Sequence, residues 1–223
     1  MADASLRKLV ERARLVLFDF DGPVCDVFAG LPAPTVARQL EVWLPEKVDT
    51  DDPLAILQEA AKYGGGTIEA VEHDLIRAEV NAADTAVATP GGLESMSAAL
   101  ASGRASGILS NNSRQAIVRY LKNSEFFANI NPIVGRKYAR PDLMKPNPYC
   151  LQDILARAQL DARETLFIGD SVSDIEVART VGVPVVGFSN KPEKAKALAS
   201  TGASALVYDM HEICEAIRDS SDR

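Results

Sequence analysis

At 223 residues with 47% apolar content and a formal net charge of −7, the chain can bury a substantial core, and it is too acidic to suit nucleic acid or an anionic membrane surface as partner. Charged residues make up 25%, which excludes a disordered or low-complexity chain, and no apolar run approaches the roughly 18 residues of a membrane span. Cys25, Cys150 and Cys214 are odd in number and lie outside any Cys-x-x-Cys, which excludes a disulfide framework and a zinc site.

Met1 to Arg14 is a charged amphipathic stretch without the apolar core of a signal peptide, so a cytoplasmic, reducing location is expected. The first strongly apolar run, Leu15-Val16-Leu17-Phe18-Asp19-Phe20-Asp21-Gly22, predicts a buried strand over residues 14–20. Side chains alternate along a strand, so Asp19 and Asp21 share one side while Phe18 and Phe20 take the other. Two acids then stand together at a strand's carboxyl end, the edge at which open parallel sheets bind ligands.

Residues 26–88 break the strand rhythm. Three helical segments are expected there, at 35–43, 53–63 and 67–87, with Ile68, Val71, Leu75 and Val87 following one helical face and no strand between them. Pro23 and Gly30 to Pro34 mark one exit from this insertion, and Thr89-Pro90-Gly91-Gly92 the other. A segment that leaves just past the paired acids and returns before the next strand is placed to cover them.

Beyond the insertion, strands expected at 106–110, 130–135, 165–168, 183–187 and 205–208 alternate with helices at 93–101, 114–122, 148–158, 173–181, 194–200 and 211–218. Gly103, Gly182 and Gly202 follow three of these helices where a stop is expected. The alternation predicts an α/β fold with a parallel sheet.

Three more elements carry chemistry. Ile108-Leu109-Ser110-Asn111-Asn112-Ser113 is a strand that ends in a hydroxyl and leads into a helix start, where Asn112 and Gln115 have the spacing of a capping box. Met144-Lys145-Pro146-Asn147-Pro148 holds one lysine in a stiff loop between prolines. Leu166-Phe167-Ile168-Gly169-Asp170-Ser171-Val172-Ser173-Asp174 is a second buried strand that ends in acids at a helix start. Four carboxylates, a hydroxyl and an ammonium on one sheet edge suit a hard divalent cation together with a phosphate.

In that order and spacing, these elements resemble the four motifs of the haloacid dehalogenase-like hydrolase superfamily. Asp19-Phe20-Asp21-Gly22 looks like the first, Ser110 the second, Lys145 the third, and Gly169-Asp170-Ser171 through Asp174 the fourth. The resemblance implies a Rossmann-like core of residues 1–25 and 89–223 with residues 26–88 as an all-helical cap. It implies Asp19 as the nucleophile that forms an aspartyl-phosphate, and Asp21 as the acid that protonates the leaving alcohol and then activates water. It implies magnesium (Mg2+) held by the Asp19 carboxylate, the Asp21 main-chain carbonyl and Asp170, with Asp174 as a further ligand or a support behind one. Ser110 and the Asn111 amide would grip the phosphoryl oxygens while Lys145 offsets their charge.

The chemistry asks for the same residue types. A carboxylate attacks an anionic phosphate only where a metal and a cation neutralise the field, and Asp21 must hold a proton for its first step. Haloacid dehalogenases generally lack the second aspartate, so Asp21 argues against that branch. A phosphonate hydrolase would need a cap lysine, and Lys47 and Lys62 lie in no matching motif. The expectation is hydrolysis of a small phosphorylated metabolite. The alternative is a sugar phosphate mutase with the same site, and a protein that only binds a phospho-ligand stands further off. Arg38, Lys47, Lys62 and Arg77 of the insertion are candidate contacts for an anionic leaving group. Pro23 stands where the family usually has threonine and brings neither hydroxyl nor N–H. Cys25 is expected as a small buried filler, Gly64-Gly65-Gly66 as a helix connection, and His73 as a surface residue. No feature of the sequence sets an oligomeric state.

Overall fold

The computed structural model describes residues 4–220. In chain order the elements are α1 (Ala4–Arg12), β1 (Leu15–Phe18), β2 (Cys25–Asp26), α2 (Ala33–Leu40), α3 (Pro53–Ala60), α4 (Gly65–Ala83), β3 (Val87–Ala88), α5 (Gly92–Ala101) and β4 (Ala105–Leu109). They continue with α6 (Arg114–Leu121), β5 (Ile133–Val134), α7 (Tyr149–Ala158), β6 (Thr165–Gly169), α8 (Val172–Val181), β7 (Val185–Phe188), α9 (Pro192–Thr201), β8 (Ala205–Val207) and α10 (Met210–Asp219). The amphipathic start is α1 from Ala4 onward, with Leu6 and Val10 buried; its first three residues lie outside the described part.

Six strands form one parallel sheet in the order β5-β4-β1-β6-β7-β8. β1 is central, and Leu15 to Phe18 pair in register with Ala105 to Ile108 on one side and Thr165 to Ile168 on the other. A strand flanked on both edges and covered on both faces needs apolar side chains throughout, and Leu15 to Phe18 are all buried. The alternation sends Val16, Phe18 and Phe20 into a core with Leu6, Met96 and Ile213, and Leu15 and Leu17 into a second with Leu151, Ile154 and Ile175. The chain builds outward from β1 through β4 to β5 and then returns to β6 on β1's other edge. That reversal makes the β1–β6 crevice a topological switch point, where ligands bind in open α/β sheets.

The insertion folds as α2, α3 and α4 around its own core of Val36, Leu40, Ile56, Leu57, Val71 and Leu75, completed by Met144 from the main body. Two differences from the sequence reading appear here. Cys25–Asp26 and Val87–Ala88 pair antiparallel, so the two connectors to the insertion are strands; at two residues each they are too short to leave a periodic pattern. The last helix ends at Ala83, and Val87 is exposed on β3 rather than continuing the helical face. The Asn112 and Gln115 capping box is also replaced: Ser113 caps α6, its hydroxyl accepting from Ala116 N at 3.3 Å.

Leu75 is fully buried in the insertion's core. Leu75→Ala should lower unfolding free energy by about 2–5 kcal/mol in urea titrations, through lost transfer energy and the cavity left behind.

Candidate active site

Asp19 extends the central strand by one rung, its N–H donating to Ile168 O at 2.8 Å. Its side chain is buried, with Oδ1 accepting from Phe20 N at 2.7 Å. Asp21 turns toward the insertion, and its Oδ1 accepts from Val27 N at 3.0 Å. Between the acids and the first connector lies Gly22, with φ at +110°. A Cβ at that position would lie 2.3 Å from Asp170 Cγ, so only glycine lets the turn pass beneath Asp170. Gly22 N donates to Cys25 O at 2.7 Å, and the Thr89 hydroxyl of the second connector donates to Gly22 O at 2.5 Å. Thr89 thus supplies this turn with the hydroxyl that Pro23 lacks. Cys25 is a fully buried core residue, and burial pushes its thiol well above the usual range.

Lys145 enters from the loop before α7, almost wholly buried. Its Nζ lies 3.0 Å from Asp19 Oδ2 and 2.5 Å from Asp174 Oδ1, and donates to Leu109 O at 3.3 Å. Burial disfavours the ammonium, but Asp174 and Asp19 outweigh it and hold the lysine charged. Asp174 is clamped from the other side: its Oδ2 accepts from Asp170 N at 3.1 Å, Ser171 N at 2.9 Å and the Ser171 hydroxyl at 2.7 Å. Gly169 makes room for it, since a Cβ there would sit 2.4 Å from Asp174 Cβ. Ser110, buried at the tip of β4, donates to Asn112 Oδ1 at 3.1 Å and lies within hydrogen-bonding influence of Asp19. Asn111 ties this tip to the lysine loop: its Oδ1 accepts from Lys145 N at 2.8 Å while its Nδ2 donates to Lys145 O at 3.2 Å.

Asp19, Asp21, Ser110, Asn111, Lys145 and Asp170 all face one cavity of about 580 Å3. Asp174 sits behind it, against Lys145. The insertion supplies the opposite wall, including Phe28, Asp51, Pro53, Leu75 and Glu79. A larger groove, about 1080 Å3, runs beside the amino ends of β1 and β4; Asp153 is the one carboxylate on its wall.

Four residues that the sequence reading passed over belong to this region. Glu72 and Glu79 fall on the buried stripe of α4 with Ile68, Leu75 and Ala82. Both meet the buried guanidinium of Arg136, whose Nε donates to Glu72 at 2.8 Å and whose Nη1 donates to Glu79 at 2.6 Å and to Asn111 O at 3.1 Å. Glu79 also accepts from Ser113 N at 3.0 Å and Asn112 Nδ2 at 3.3 Å. The insertion is thereby fastened to the loop that carries Ser110. A charge repeated on an apolar helical stripe was the available signal. The fourth residue is Lys194, at the start of α9, which is ion-paired with Asp170; no local pattern announces it. Conversely, Arg38, Lys47, Lys62 and Arg77 do not line the cavity. His73 is exposed, and Gly64 and Gly65 border a separate shallow hollow.

One carboxylate oxygen each from Asp19, Asp170 and Asp174 lies within 4.8 Å of the others. An all-oxygen donor set with no His or Cys fits a hard cation such as magnesium. Within it Asp174 is already saturated by protein donors, so Asp19 and Asp170 are the groups with lone pairs to spare, and Asp174 holds Lys145. The Asp21 carboxylate is not part of the cluster. Burial and the neighbouring Asp174 push the Asp19 carboxyl up against the pull of Lys145, and burial likewise raises Asp170 against Lys194. Burial raises Asp21 from 3.8 to about 6, opposed chiefly by the Val27 N–H.

Such a fold and site define an α/β protein whose sheet edge gathers acids and a lysine around one cavity. The family model for haloacid dehalogenase-like hydrolases matches residues 16–188, and the chain belongs to that family. Among curated relatives, a phosphoglycolate phosphatase of Yersinia pseudotuberculosis is 33% identical over 73 residues, 33% of this chain and 32% of that protein. This chain's match therefore spans about a third of that relative's length. Another phosphoglycolate phosphatase, from Pseudomonas savastanoi pv. phaseolicola, is 23% identical over 217 residues, covering 90% of this chain and 78% of its own. In fold the chain is similar to a Bacteroides vulgatus protein named as a candidate β-phosphoglucomutase, with a TM-score of 0.72 at 15% identity and full coverage of both chains. Among the described residues no helix is long and apolar enough to cross a membrane.

Arg136→Met should destabilise the protein by about 3–5 kcal/mol, because two buried carboxylates lose their partner. Adding Glu72→Gln and Glu79→Gln should return most of that loss in the same denaturant titration. A carboxyl raised in the folded state stabilises below its unfolded pKa, and the contribution is lost as pH rises through the folded value. In chelator, Asp21 should therefore cost stability between its ordinary 3.8 and about 6. Thermal melts should show this fall in wild type and less of it in Asp21→Asn.

Proposed function

We propose that the protein catalyses magnesium-dependent hydrolysis of a small phosphomonoester through an aspartyl-phosphate on Asp19. The observation that carries this reading is the placement of Asp19 at the end of the central strand, 3.0 Å from a buried Lys145 and clustered with Asp170 and Asp174. A bound divalent ion would draw charge from the phosphoryl oxygens and from Asp19. Asp19 and Asp170, with the Asp21 main-chain carbonyl, would hold it.

Lys145 keeps its charge beside Asp19 and so offsets the approach of an anionic phosphate to a carboxylate. The Ser110 hydroxyl and the Asn111 main-chain N–H would take the phosphoryl oxygens, because the Asn111 side chain is committed to Lys145. Asp21, raised to about 6, can hold a proton near neutral pH, give it to the departing alkoxide, and take one back from the water that cleaves the aspartyl-phosphate. Residues 26–88 act as the cap, with residues 1–25 and 89–223 as the core. Asp51 and Asp52 at the cap's edge are exposed, so the cavity has a route for water, which favours hydrolysis over return of the phosphoryl group to a sugar. The three cysteines are free and buried, which suits the cytoplasm.

Asp19→Asn should abolish magnesium-dependent phosphate release, while Asp21→Asn should lower it by about 10²–10⁴-fold. Wild-type turnover in Asp19→Asn would remove the proposed nucleophile.

A further inference from the structure

We infer that the alcohol released by this site is neutral or carries an amine, and is not itself an anion such as a carboxylate or a second phosphate. The inference rests on the phosphatase reading and concerns the part of the cavity away from Asp19. There the wall comes from the insertion, and its side chains are either apolar, as Phe28, Pro53, Leu54 and Leu75, or acidic, as Asp51 and Glu79. Asp52 adds a further carboxylate at the same place.

The four exposed cations of the insertion lie outside the cavity. Lys62 pairs with Glu59 at 2.6 Å and Arg77 with Asp74 at 3.2 Å, both outside the cavity. Arg38 and Lys47 do not line the cavity but a neighbouring hollow with Glu41 and Asp49, and Asp51 borders both. Arg136 is enclosed by Glu72 and Glu79 and does not line the cavity. The two ammonium groups that do line the cavity stand on the Asp19 side: Lys145 against Asp19 and Asp174, Lys194 against Asp170.

The amino end of α3, which also borders the cavity, offers no anion site either. Pro53 is its first residue and has no N–H, the Asp52 side chain takes Leu54 N at 2.9 Å, and Asp52 O takes Ala55 N at 3.1 Å. Asp51 has no hydrogen-bond or ion-pair partner among the described residues, and its carboxylate is left to face whatever enters. A carboxylate on the leaving group would meet Asp51, Asp52 and an apolar wall, with no cation of the insertion among the residues that line the cavity. A hydroxyl or ammonium would find acceptors. On this point the chain departs from what the name phosphoglycolate phosphatase says of its relatives, since glycolate is an anionic leaving group.

The test is kcat/KM with magnesium for matched two-carbon esters: 2-phosphoglycolate, 2-hydroxyethyl phosphate and phosphoethanolamine, with p-nitrophenyl phosphate as a general probe of turnover. Either the hydroxyethyl or the ethanolamine ester should exceed phosphoglycolate by about tenfold or more, the scale of discrimination that one pocket contact provides. Asp51→Lys, an exposed substitution that the fold can accept, should raise phosphoglycolate relative to phosphoethanolamine. Equal or better use of phosphoglycolate by the wild type overturns the inference while leaving the phosphatase reading in place. No phosphate release from any ester, p-nitrophenyl phosphate included, overturns that reading and this inference with it.

Discussion

The site depends on one buried ammonium. Three carboxylates whose oxygens approach within 4.8 Å repel one another strongly in a medium that water barely reaches, and Lys145 is the buried cation that lets two of them share the space while Lys194 pairs with the third. Lys145 touches two of them directly, and Asp174 passes the restraint to the third by accepting the Asp170 N–H. Main-chain groups do much of the remaining work. Leu109 O anchors the ammonium, Asn111 locks the lysine loop to the tip of β4, and the parallel register of β4, β1 and β6 brings the three tips level.

A second buried charge, Arg136, does for the insertion what Lys145 does for the core. A helical lobe joined to a sheet only by two short strands could swing as a unit, yet α4 carries two buried glutamates into the core's only described arginine with an almost fully enclosed side chain. Removing either side would strand a charge, so the lobe and the Ser110 loop are held in a fixed relation. Glu79 serves as anchor and lining at once. The exposed edge of the cavity lies around Asp51 and Asp52.

Much of this was legible in the residues. The six strands of the main sheet follow from short apolar, β-branched runs, and Asp19, Asp21, Ser110 and Asp170 line one cavity because each lies at or near a strand tip, while Lys145 reaches it from the proline-flanked loop before α7. What the pattern missed was set by long-range pairing. The two-residue ladder between Cys25 and Ala88 is too short for any period, and Asn112, read as a helix cap, is claimed instead by Glu79. Glu72 and Glu79 escaped notice because charges are normally assigned to a helix's wet face, and their partner lies far along the chain. The cap's surface cations were the natural candidates for substrate contact, but their side chains are directed into local ion pairs or outside the cavity.

The central claim, that Asp19 itself takes the phosphoryl group, is most directly tested by trapping. Acetyl phosphate needs no proton on its leaving group, so with magnesium it should phosphorylate Asp21→Asn protein, in which the water-activating carboxylate is gone. Intact mass followed by peptide mapping is expected to show one added phosphoryl group, on Asp19. An adduct at any other residue, or an unmodified protein that still releases phosphate, would contradict the account.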